Sequence, residues 1–143
     1  MENKALQIDL GIKTYTLNGA VEVAFNPTDA AFVEKLYNTF EELDRKQEEY
    51  KAEASKAEMR EVFQIAKKRD AEMRVMIDAV LGEGVSDALF TGINVYAMSN
   101  GLPVWANLLL GIMDEIDEGF DTEQKQMNAR VRKYSEKYKK YHK

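Results

Sequence analysis

Three patterns predict a mainly α fold with an N-terminal β-hairpin, an α+β class. Apolar residues alternate at period two on both sides of Asn18-Gly19, and then recur at helical spacing from Phe32 to Val80. No Gly or Pro interrupts positions 28 to 81.

Each element follows in chain order. Leu6, Ile8, Leu10 and Ile12 alternate and the phase shifts afterwards, which predicts a strand with a bend or bulge near Gly11. Asn18-Gly19 suits a type I′ turn because both residues tolerate positive φ. Val21, Val23 and Phe25 alternate again, so a hairpin is expected over about residues 5–25. Asn26-Pro27-Thr28-Asp29 stops the strand; Asn26 or Thr28 supplies a helix cap, and Pro27 suits a first turn whose amide needs no partner. Phe32, Leu36, Phe40, Leu43 and Tyr50 form one apolar stripe, while Met59, Val62, Ala66, Met73, Met76 and Val80 form a second. The phase slips near Ser55, where Ser55-Lys-Ala-Glu58 has the form of a capping box. Two antiparallel helices over about 28–53 and 56–81 are favoured, with one continuous kinked helix as the alternative.

Gly82-Glu83-Gly84 ends the second helix, Gly82 being the expected left-handed cap. Ser86 is placed to cap a short helix over 86–91, which Gly92 closes. Asn100-Gly101-Leu102-Pro103 breaks the chain before a helix over 102–118 that is apolar around most of its circumference. Such a helix is buried on several sides, by its own domain or by a partner. Residues 1–120 thus read as a single α+β domain. Beyond it, Met127, Val131, Tyr134, Tyr138 and Tyr141 are spaced four, three, four and three residues apart, a heptad seam on a basic amphipathic helix over 121–143. So short a helix is marginal in water and is expected to gain its order by docking.

Composition narrows the chemistry. The chain has 143 residues, no cysteine and one histidine, His142. That excludes a disulfide scaffold, a thiolate zinc site and a cysteine nucleophile, and leaves little for imidazole catalysis. The net charge of −5 is uneven. From Asp121 onward eight Lys/Arg face three acids, and the preceding residues carry 12 basic against 22 acidic groups. An acidic body joined to a basic tail points to charge-guided contact with a partner or with a second copy of the chain. The N-terminal Met-Glu-Asn-Lys-Ala-Leu has no long apolar run behind its lysine. The most apolar window, Leu102 to Met113, is about half of a bilayer span. A soluble, cytoplasmic protein with no membrane partner is expected.

No motif points to catalysis. Glu83 lies between two glycines, but the strand and the lysine of a phosphate-binding loop are missing. The acidic run from Asp114 to Glu123 lacks the alternate spacing of a calcium loop. Carboxylates are abundant without a recognisable acid–base pair, so no enzyme activity, cofactor or metal is expected. The basic tail with its tyrosines has the composition of a nucleic-acid binder, in which lysines neutralise phosphates and rings stack on bases. Confinement of the tyrosines to one helix face, the acidic body and the lack of a binding motif favour protein docking instead.

The run Val80-Leu-Gly82-Glu83-Gly84-Val-Ser86-Asp87-Ala-Leu89-Phe90-Thr-Gly92, with Asn94 and Trp105-Ala-Asn-Leu-Leu, resembles the tail assembly chaperones of long-tailed phages and prophages of Gram-positive bacteria. Ile8-Asp-Leu-Gly-Ile-Lys-Thr-Tyr15, Phe25-Asn-Pro-Thr-Asp29, Phe32-Val-Glu-Lys-Leu36 and Glu41-Glu-Leu-Asp-Arg-Lys-Gln-Glu-Glu-Tyr50 are similar to the same group. The likeness spans about residues 6–120. It implies a non-enzymatic, self-associating protein that coats the long tape measure protein before the tail tube polymerises, and leaves as tube protein subunits arrive. It also implies a longer form made by translational frameshifting. The expected contact surfaces are Trp105, Leu108, Leu109, Ile112 and Met113 on the apolar helix, and Tyr134, Tyr138 and Tyr141 on the tail. A structural helical-hairpin protein of the virion, such as a connector component, is the alternative, and a nucleic-acid-binding adaptor the third.

Overall fold

A computed structural model describes residues 2–126. The hairpin strands are β1, Lys13–Leu17, and β2, Val21–Phe25, paired antiparallel with Tyr15 opposite Val23. Asn18 and Gly19 adopt φ of 53° and 67°, and the Ala20 amide donates to the Leu17 carbonyl at 2.9 Å, closing the expected turn. The hairpin is shorter than the alternation suggested. Residues 2–12 form no strand, and Leu6, Ile8, Leu10 and Ile12 stand 60–77% exposed. Gly11 takes φ +69°, and its amide donates to Asp9 Oδ1 at 2.8 Å, but no strand surrounds it.

Two long helices follow, α1 (Ala30–Ser55) and α2 (Met59–Leu81), packed as a hairpin rather than as one rod. The cap of α1 is Asp29, whose Oδ1 accepts from the Ala31 amide at 3.0 Å. Asn26 is drawn away instead: its Oδ1 accepts from the Thr28 amide and hydroxyl at 2.7 and 2.8 Å, while its Nδ2 donates to Leu10 O. Ser55 does not cap α2. It remains the last residue of α1 and donates to Ala52 O, so the slip in phase marks a turn without a capping box. Leu36 and Leu43 of the first stripe are fully buried, but the buried row of α2 is Met73, Ile77 and Leu81, and Met59 is 75% exposed. A row at i, i+4 keeps one side against α1, and Met76 and Val80 lie only on its flank.

Past α2, Gly82 occupies the cap position at φ +124°, outside the left-handed helical region, and Gly84 takes the left-handed conformation instead. The short helix α3 spans Val85–Leu89, with Ser86 fully buried inside it rather than at its cap. Asn100 and Gly101, at φ 56° and 78°, close a second, two-residue hairpin between β3 (Met98–Ser99) and β4 (Leu102–Pro103). The final helix α4 runs Val104–Lys125 and crosses the domain boundary expected at residue 120 without a break. The remainder of the tail lies outside the described residues. The hairpin, α1, α2, α3 and α4 share one contiguous core that contains Phe25, Leu36, Leu43, Ile77, Val95 and Trp105.

Candidate docking surface

Helix α4 is the axis of that core. Trp105, Leu108, Leu109, Ile112 and Met113, the expected contact surface, are between 0 and 9% exposed and pack into the chain's own core. The apolar circumference is satisfied within the chain. Trp105 donates from Nε1 to the buried Gln47 Oε1 of α1 at 2.9 Å, and its ring tilts against Phe40 at 5.4 Å. Gly119 lets α4 approach the hairpin exit so closely that an added Cβ would lie 2.8 Å from the Pro27 ring. Tyr134, Tyr138 and Tyr141 lie outside the described residues.

What α4 leaves open is a groove of 610 Å³ between its flank, the inner face of the β-hairpin and the Leu89–Ile93 turn. That volume is typical of a binding cleft, about 300–1,000 Å³. Val23, Phe25 and Phe90 form its buried base, Leu108 and Ile112 contribute their edges, and Tyr15 and Leu17 form the strand wall. Gly111 lines the groove with no atom within 4 Å of an added Cβ. A glycine inside a helix costs about 1 kcal/mol relative to alanine. Its missing side chain keeps the cleft deep.

The strand wall is stiffened by an aromatic ladder. Tyr15 stacks on Phe25 at 4.6 Å, and Phe25 on Phe32 of α1 at 4.4 Å. Partial burial raises the Tyr15 hydroxyl pKa above its usual value, and the negative charges of Glu115 and Glu118 add to the effect. The mouth is therefore acidic on the α4 side, and Asn18, Ser99 and Asn107 complete a polar rim.

The opposite wall depends on Arg74 of α2, which sequence patterning overlooked. Its Nε pairs with Asp70 at 2.9 Å, and Nη1 reaches Asp87 at 3.0 Å and Ser86 O at 3.3 Å. Nη2 donates to Phe90 O at 3.0 Å and Ile93 O at 2.6 Å. Asp70 in turn accepts from the Val95 amide at 2.8 Å, and Asp78 accepts from the Gly84 and Ser86 amides at 3.1 and 2.9 Å. Three polar residues at i, i+4 and i+8 on α2 thus fasten the irregular 84–95 stretch, whose backbone groups have few regular partners. The sequence signal was that Asp70, Arg74 and Asp78 run beside the apolar row of Met73, Ile77 and Leu81 at the same i, i+4 spacing.

Among the described residues no group of three or more His, Cys, Asp or Glu is placed to hold a metal ion, and no helix is long and apolar enough to cross a membrane. The chemistry that the site offers is apolar enclosure with an amide and carboxylate rim. No match was found among curated proteins or among solved structures. A family model does match residues 19–143, from the hairpin turn to the end of the tail. The chain belongs to that family, DUF6673, a family of unknown function.

Proposed function

We propose that this protein is a tail assembly chaperone that self-associates and holds the tape measure protein of a long-tailed phage in the host cytoplasm until tail tube protein replaces it. The observation that carries the reading is unspent apolar surface: an open groove, and an N-terminal arm around Leu6–Ile12 whose four aliphatic side chains are 60–77% exposed. Phe63 and Val75 on α2 add to it at 64% and 71%. Apolar surface on this scale suits a protein that works by binding other chains. The resemblance over residues 6–120 supports the same role, and a long, helical, partly apolar target would be met by groove and helix-face contacts. Charge favours a protein target over nucleic acid, because the residues before Asp121 carry 22 acids against 12 bases.

Co-expression of the full chain with the tape measure protein of the same genome is the test. Soluble tape measure protein that co-purifies with the chain, and absence of the chain from mature particles by mass spectrometry, are expected. A tape measure protein that stays unbound refutes the reading, and a chain retained in the particle supports a structural virion component instead.

A further inference from the structure

The groove and the arm are complementary, and we infer that the arm around Leu6–Ile12 of one copy seats in the groove of a second copy, in a reciprocal exchange. The pairing rests on the self-association within the proposed function, not on its target.

Leu6, Ile8 and Leu10, ahead of the break at Gly11, fall on one face when extended, over about 13 Å. The groove offers a matching length. It runs beside β1 and along α4 from Val104 to Glu115, about 16 Å of helix. Strand β1 lies in a two-stranded sheet, so among the described residues one edge has no partner strand, and N–H and C=O groups along it can accept an added strand while apolar side chains enter the cleft.

The arm's root is turned away from its own groove. Asn26 Nδ2 clamps Leu10 O at 2.8 Å, and Leu10 and Ile12 line a separate hollow with Ala24, Phe25 and Phe32. Strand alternation puts Ala24 on the hairpin face opposite to Val23 and Phe25, which floor the groove. Neither Leu10 nor Ile12 lines the groove of its own chain, which leaves that cleft open to the arm of a neighbour. Reciprocal exchange buries twice the area of one arm in one groove, which favours pairs because specific interfaces need about 1,200 Å².

The absence of cysteine from the full chain allows a direct test. Single-cysteine chains I8C and G111C, mixed and oxidised, are expected to form a disulfide-linked pair joining the two variants. In the double variant the same bond is expected between chains. Light scattering of the wild type is expected to show the mass of two chains. The variant I8D/L10D, altered only at exposed positions, is expected to keep the wild-type circular dichroism and fall to the mass of one chain, as is G111F, which fills the cleft. A single-chain wild type, a bond formed within one chain, or pairing that survives both variants overturns the arm exchange. Tape measure co-purification, scored separately, reports on the target whichever way the pairing falls.

Discussion

Replacing Arg74 with methionine removes the fastening of the groove's far wall while keeping much of the side-chain volume. The guanidinium is 17% exposed and serves two carboxylates and three backbone carbonyls. Removing one member of a well-buried ion pair costs about 3–5 kcal/mol. The Asp87 carboxylate is 78% exposed and contributes little of this. Asp70 and the carbonyls of Phe90 and Ile93 carry the loss, which we place at about 2–4 kcal/mol. That is a large fraction of a typical stability of about 5–15 kcal/mol. Urea unfolding of Arg74→Met is expected to show the loss as a lower midpoint with an unchanged slope. Arg74→Lys should fall between, because an ammonium lacks the planar fork that reaches both carboxylate and carbonyls. Amide exchange should accelerate first at Phe90 to Val95, since Asp70 loses the cation that orients it toward the Val95 amide. A loss below about 1 kcal/mol with unchanged protection in that stretch refutes the role assigned to Arg74.

Two glycines of α4 should respond to alanine with opposite sign. Gly111→Ala meets open space and is expected to stabilise by up to about 1 kcal/mol in thermal unfolding. Gly119→Ala places a methyl 2.8 Å from the Pro27 ring and is expected to cost about 1–3 kcal/mol, because neither helix nor ring yields easily. Tyr96 stacks on Tyr50 at 4.2 Å, and its buried hydroxyl has no hydrogen-bond partner among the described residues, so Tyr96→Phe should be neutral or stabilise by about 1 kcal/mol. Burial pushes the Tyr96 hydroxyl up to about 12 from its ordinary 10.0. The folded chain holds this proton where the unfolded chain has lost it, so the contribution is full below pH 10.0 and drains as pH rises toward about 12. Thermal melts across that window should show a smaller alkaline loss in Tyr96→Phe than in the wild type.

The helical hairpin and the first β-turn were legible because their signals are local. Asn18-Gly19 needs only its own two residues to adopt positive φ. The second Asn-Gly pair closes a hairpin too, yet its strands are two residues each, too short for alternation to show. Capping was legible as a region and not as a residue. Asn26, Thr28 and Asp29 have equivalent chemistry, and Asp29 caps α1 because Asn26 is engaged with Thr28 and Leu10. The Asp70, Arg74 and Asp78 fastening joins α2 to backbone groups up to 25 positions away, and no local pattern records such partners.

The sequence by itself determined which residues share a face: period two before Asn18, period 3.6 after Thr28, an apolar circumference on α4. Only the tertiary structure decided what each face meets. Leu6, Ile8, Leu10 and Ile12 read as part of a paired strand and stand in water, while Trp105, Leu108, Leu109, Ile112 and Met113 read as a contact surface and pack into the chain's own core. Periodicity follows from backbone geometry, which a residue carries with it. Burial depends on the shape and position of the neighbouring elements, and those are set only when the core closes around α4.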